Sequence, residues 1–229
     1  DQLTYAYSNI QGKVSTVYQP QTMQAFSDSL SRGREAARES IFAVSIMALS
    51  GFLFTQFFTE EILTVFFSVD ALPAVLPLRL LSLNFITIHI SSILGMQVLL
   101  AMYRDKEILR PSVYAALLNA TFGCAAIYLW GATGAAASVA AIECLILVYF
   151  IKKVSDCGVE LLDKRLVARV FEFVLPLLGA LSVLRLSYSA TGFSPYVKLP
   201  VTVAAFGAAV IGTLVILGMI DVRGRRLLV

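Results

Sequence analysis

The sequence predicts an all-α, polytopic transmembrane helix bundle of about seven helices, and three observations predict it. The 229 residues are 58% apolar and 14% charged, with a mean hydropathy of +0.80, whereas a soluble domain is roughly 45–50% apolar and about 25% charged. The apolar residues gather in runs long enough to cross a bilayer, which takes about 20 helical residues. One stretch, from Pro111 to Ile142, carries no formal charge at all. No strand-like alternation competes with these runs.

The elements follow in order. In residues 2–27, Tyr5, Asn9, Gly12, Thr16 and Gln19 recur at helical spacing, with Lys13 on the same side. Leu3, Ile10, Val14, Val17 and Phe26 supply the apolar remainder. Two readings stand: a helix buried in the bundle with one wet face, or an amphipathic helix lying on the membrane. Clear spans follow at 40–67, 73–103, 111–130, 132–151 and 199–220, and 166–188 is a further span with charges at both ends. Spans 111–130 and 132–151 form a hairpin about the turn Trp130, Gly131, Ala132, Thr133, Gly134. Two rows of small residues, Ala116/Ala120/Cys124 and Ala136/Ala140/Cys144, predict close helix packing. Pro176 removes a backbone donor, frees the carbonyl of Glu172 and predicts a kink.

Loop charges set the orientation. Arg32, Arg34 and Arg38 follow the first helix; Glu60, Glu61 and Asp70 follow the second; Arg104, Lys106 and Arg110 follow the third. The 130–134 turn is uncharged, the next loop holds Lys152, Lys153, Lys164, Arg165 and Arg169, and the one after it only Lys198, with Arg185 at its border. Arg223, Arg225 and Arg226 close the chain. Basic and non-basic loops alternate, as cytoplasmic and outer loops do. That alternation favours a first helix that spans, and it puts the C-terminus in the cytoplasm. The chain opens at Asp1 without Met or a signal-peptide pattern, which predicts a fragment.

Ionisable groups inside a bilayer are costly and tend to be functional. Lys13, His89 and Glu143 lie well within spans; Arg79, Glu172 and Arg185 sit near span ends, where long side chains snorkel. Lys13 shares a face with Asn9, Thr16 and Gln19, and Pro20 frees the carbonyl of Thr16, which suits a bent helix lining a cavity. A lysine there binds an anionic substrate such as a phosphate; otherwise it snorkels or pairs with an acid. Glu143, among Val139, Ala140, Ile146 and Leu147, must be protonated or paired. It either binds a coupling ion, a proton or sodium, or hydrogen-bonds a neighbouring helix. His89, near Thr87, Ser91 and Ser92, is a packing residue or a proton relay.

Cys124, Cys144 and Cys157 have no metal-ligand spacing and read as small buried residues, with no disulfide or metal implied. The sequence has no phosphate loop and no nucleophile–base pairing, so neither an enzyme nor a cofactor is expected. The basic residues are distributed by topology and indicate no nucleic acid.

The hairpin carries a resemblance. Leu118 and Asn119, then Trp130 to Ala136, then Glu143, are similar to the bacterial polysaccharide flippases of the O-antigen, Wzx type, in the superfamily shared with multidrug exporters. Tyr7 to Lys13, followed by Pro20 and by Ala25 to Ser31, resembles that family's Tyr-Ser-x-x-x-x-Lys helix, and Gly95, Met96 and Gln97 resemble its next Gly–Gln helix. The chain departs from the family at Gly123, at Tyr128 and Leu129, and at Ser27.

The resemblance implies the second lobe of a two-lobe alternating-access transporter, with lobe helices in residues 1–153 and two further helices in 154–229. It implies that the N-terminal lobe of the same protein is missing. The implied activity is flipping of undecaprenyl-pyrophosphate-linked oligosaccharide across the bacterial inner membrane, among membrane lipids, for O-antigen biosynthesis. Lys13, Asn9, Thr16 and Gln19 would then line a substrate cavity, and Glu143 or His89 would bind the coupling ion. A multidrug exporter, or a membrane scaffold subunit that transports nothing, are the competing expectations.

Overall fold

The structure is a computed structural model, and it describes residues 18–161, 163–190 and 194–217. Every regular element among them is helical. Residues 18–28 are the described part of α1. Ser29 then caps α2, Leu30–Phe67, by accepting from the Arg32 amide at 3.3 Å. The helix thus begins ten residues before the predicted 40–67 span. Hydropathy finds only apolar residues, whereas the Ala-, Arg- and Glu-rich start of α2 is polar yet helix-favouring. The helix bends at Phe58 (φ −121°, ψ 23°) and stops at Ser68, whose φ is 94°.

The predicted 73–103 span is a relay of short helices. A 3₁₀ turn, Val69–Ala74, leads into α3, Val75–Leu81, then α4, Asn84–Ser92, and a π-helical stretch, Ile93–Leu99. Local chemistry makes the joint between α3 and α4. The Ser82 hydroxyl donates to the Arg79 carbonyl at 2.7 Å, and the Leu83 amide reaches only back to Leu80, at 3.2 Å. In the π stretch the Leu100 amide donates to Gly95 O at 3.0 Å. Gly95 permits a close approach here, since a Cβ on it would lie 3.3 Å from the Phe150 ring.

The hairpin is present as predicted. Helix α5, Asp105–Leu118, continues through a π stretch, Asn119–Gly123, into α6, Cys124–Asp156, whose path reverses at Gly131 (φ 57°, ψ −134°). A Cβ on Gly134 would sit 1.9 Å from the Ala126 carbonyl oxygen, so the two arms meet backbone to backbone. Helix α7, Lys164–Ala190, runs unbroken through Pro176, where a kink was expected. Pro195 opens α8, Pro195–Ile216, ahead of the predicted 199–220, because a first-turn proline costs no hydrogen bond.

Helix α2 is the hub, packing on α3, α4, α7, α8 and the π stretch after α4. One core joins Ala37, Ile41 and Val44 of α2 to Ile93, Val98 and Val154. A second joins Phe42, Ile46 and Phe58 to Phe173, Leu177 and Leu181 of α7, and to Phe206 of α8. The outside is apolar, with Leu109, Val113, Leu117, Leu145 and Val183 exposed, while Ser40, Thr59, Asn84 and Gln97 are buried. That distribution suits a bilayer.

Five helical stretches are long and apolar enough to cross a membrane, and one of them, Asp105–Asp156, doubles back at Gly131. The described residues therefore hold a multi-pass bundle; most of the predicted first span, 2–27, lies outside them.

Two packing expectations are corrected. Ala136 and Ala140 are buried, but Ala116, Ala120 and Cys124 face outward, because α5 uses its other side against the bundle. Cys124 and Cys144 are exposed rather than buried, and Cys157 is half-buried; all are free thiols. Four-residue spacing defines a helix face without saying which face meets protein.

Candidate functional site

A polar seam runs through the bundle where α1, α2, α4 and the following π stretch meet. Its centre is Gln97, 1% exposed, between Thr22 of α1, also 1% exposed, and Ser40 of α2, 0% exposed. The Ser40 hydroxyl donates to Gln97 Oε1 at 2.9 Å. The Thr22 hydroxyl lies 3.3 Å from the same oxygen and 3.0 Å from the Tyr18 carbonyl, so its one proton is shared between two acceptors. One amide thereby ties three helical segments together. Its seat in a π stretch matters, because an i→i+5 register widens the turn and re-aims the side chains on it.

Further polar side chains are buried along α4. Asn84, Thr87 and Ser91 fall on one face of that helix and are buried. Asn84 Oδ1 and Ser91 Oγ have no hydrogen-bond partner among the described residues. Unsatisfied buried polar atoms are uncommon and mark places that water, an ion or a moving group visits.

His89, 4% exposed, lies on the other side of α4 with Nδ1 3.2 Å from the Phe85 carbonyl oxygen. That geometry puts a proton on Nδ1, because a carbonyl oxygen only accepts. Glu143 is half-buried on α6, where no ion pair reaches it among the described residues. Gln19 is half-buried, three residues before Thr22. Lys13, Asn9 and Thr16 lie outside the described residues.

Charged groups gather at the two ends. At one end Arg34 and Arg38 of α2 donate to the carbonyls of Gly158 and Glu160, each at 2.8 Å. Nearby in the chain, Glu107 accepts from Tyr149 Oη at 2.5 Å and from Arg110 at 2.8 Å, and Lys153 stands 3.5 Å away. At the other end Arg185 of α7 is ion-paired with Glu61 of α2. Its guanidinium also stands 5.6 Å from the Phe58 ring centre. Lys198 sits 5.0 Å from the ring of Tyr188 and donates to that residue's carbonyl at 3.1 Å. Arg185 was expected to snorkel; a cross-helix acid holds it instead, and spacing within one helix gives no sign of such a partner.

Thr22, Ser40 and Gln97 are the functional candidates that residue patterns did not single out as a group. One signal was present: the polar spacing of Thr16 and Gln19 continues to Thr22. Gln97 was visible only through its likeness to a family motif. Among the described residues no cluster of His, Cys, Asp and Glu is arranged to hold a metal. Comparison with known protein families finds no match for the chain, and comparison with characterised proteins finds none either.

Proposed function

We propose that the chain is the second-lobe portion of a bacterial inner-membrane flippase. It works with the N-terminal lobe of the same protein and moves undecaprenyl-pyrophosphate-linked oligosaccharide toward the periplasmic leaflet. The substrate class rests on the resemblance of the hairpin and of the Tyr7–Lys13 stretch. The observation that carries the transport reading is the Thr22–Gln97–Ser40 joint, a buried polar contact between three helical segments at a π-helical stretch inside an apolar bundle. Interrupted membrane helices lining polar interiors are where transporters bind and move.

In this mechanism Lys13, with Asn9, Thr16 and Gln19, meets the pyrophosphate or the anionic sugars. A lysine in a wet cavity attracts phosphate oxygens and needs no fixed geometry to do so. Thr22, three residues beyond Gln19, couples any tilt of α1 to Gln97 and hence to α2. Glu143 or His89 is the site of the coupling proton or sodium ion; Glu143 is a half-buried carboxylate with no ion pair among the described residues.

The test is restoration of surface O-antigen in a strain lacking its own flippase, by the full-length protein. Lys13→Ala is expected to abolish it, and Glu143→Gln to remove its dependence on the ion gradient. Lowered drug susceptibility without glycan export would show a multidrug exporter; neither effect would leave the scaffold reading. O-antigen restored to wild-type level by the Lys13→Ala protein would overturn the role of that residue.

A further inference from the structure

Between α2 and α7, at the end where Arg34 and Arg38 hold the α6–α7 connection, lies a cavity of about 450 Å³. One wall presents Glu35 and Glu39, a turn apart on α2, and the other presents Arg165 and Arg169, a turn apart on α7. Phe42 and Leu166 give it an apolar side. The other charges nearby are committed. Arg38 donates to the Glu160 carbonyl and stands 4.0 Å from Asp163, and Glu39 has a polar interaction of its own. Arg165, Arg169 and Glu35 have no ion-pair partner among the described residues.

The cavity therefore offers two guanidiniums and one carboxylate, Glu35, that have no ion pair among the described residues, and an apolar flank at the edge of the apolar bundle; Arg38, Glu39 and Asp163 line it as well. A soluble anion would meet the guanidiniums but leave the apolar side empty and face Glu35. An anionic phospholipid such as phosphatidylglycerol would fill the apolar side and meet the guanidiniums, yet bring no cation to the carboxylate. A choline head has the right charges but no N–H to donate. A primary ammonium on a phosphodiester supplies all three features: phosphate oxygens for the guanidinium forks, three donors for the carboxylate, and chains for the apolar flank.

We propose that this cavity is a binding site for the head group of phosphatidylethanolamine. Its phosphate lies on Arg165 and Arg169, its ammonium on Glu35, and its acyl chains leave past Phe42 and Leu166 into the bilayer. The inference rests on the membrane reading of the bundle and is independent of what the protein transports.

Native mass spectrometry of the full chain, released from micelles with equal amounts of phosphatidylethanolamine, phosphatidylglycerol and phosphatidylcholine, tests it. Phosphatidylethanolamine is expected to be retained preferentially. The double variant Arg165→Gln/Arg169→Gln is expected to lower that retention on the order of tenfold, the scale of lost charge-assisted contacts. Glu35→Gln is expected to erase the preference over phosphatidylglycerol while leaving total lipid retention close to wild type. All three side chains are exposed and make no ion pair among the described residues, so these variants remove no such contact from the fold. Equal retention of the three lipids, or a preference for phosphatidylglycerol, overturns the proposal. Undiminished preference in the double variant also overturns it. Displacement of the lipid by millimolar inorganic phosphate would mark a soluble-anion site and overturn it as well. Glycan export is not read in this assay, so its outcome and that of the flippase test are separate.

Discussion

Gln97 shows what one side chain can do inside an apolar bundle. Its carbonyl oxygen is approached by hydroxyls from two other helices, and all three groups are buried. Interhelical hydrogen bonds in membrane proteins contribute about 0.6 kcal/mol on average and up to about 2. Gln97→Ala also strands the Ser40 hydroxyl, while Thr22 keeps the Tyr18 carbonyl, so a loss of about 1–3 kcal/mol is expected, seen as a lower unfolding midpoint in detergent. Adding Ser40→Ala to that variant should cost little more, because the bond is already gone; full additivity would show that the two side chains do not act on each other.

The two turn glycines separate in the same way. Gly134→Ala drives a methyl into the Ala126 carbonyl, whereas Gly131→Ala meets open space and bears only the strain of φ 57°. With ψ at −134°, a region used almost only by glycine, that strain is worth roughly 1–3 kcal/mol, and Gly134→Ala, which meets backbone, is expected to lower thermal stability by more. Equal losses would show that the arms do not approach as closely as described.

At the scale of elements, the ion pair between Arg185 and Glu61 links α7 to the end of α2 just past its bend at Phe58. Arg185 is 40% exposed, so solvent screens the pair. A double-mutant cycle with Arg185→Gln and Glu61→Gln should give a coupling on the order of 1 kcal/mol or less, falling with added salt. A salt-independent coupling of several kcal/mol would contradict this screened geometry.

Element boundaries also show where sequence reading succeeds. The hairpin was legible because long uncharged arms meet at two glycines within five residues, and few other structures accept that pattern. The start of α2 was not, because membrane hydropathy is blind to a polar helical turn. The relay from Val69 to Leu99 was hidden too. Its apolar content reads as one span, whereas the winding changes depend on the Ser82 hydroxyl turning back to the Arg79 carbonyl and on Gly95 meeting Phe150 of α6.

The whole molecule sorts its charges to two ends and leaves apolar surface between them. Segregation of this kind follows from counting loop charges, since the bilayer acts on the sum. Individual partners do not follow: Glu61 with Arg185, or Arg38 with the Glu160 carbonyl, join residues more than a hundred positions apart. The topology predicts a labelling result. With Cys124 and Cys144 replaced by Ala, a membrane-impermeant maleimide should reach Cys157 from one side of the membrane only. It should reach an introduced Ser68→Cys from the opposite side only. Labelling of both positions from the same side would refute the arrangement of the spans. The native Cys124 and Cys144, exposed on apolar helices, should stay unlabelled until the bilayer is removed.

The grip of Arg34 and Arg38 on the connection after α6 has a consequence for how this protein tolerates change. Both arginines hold main-chain carbonyls, those of Gly158 and Glu160. A main-chain oxygen is present whatever residue supplies it, so the grip is indifferent to the spelling of the connection. Glu160→Ala should be nearly silent, whereas Gly158, at φ 76°, and the buried Val159 and Leu161 keep requirements of their own. Length is another matter. Adding or deleting one residue shifts the register of both carbonyls at once, so even a position that accepts substitution is intolerant of insertion.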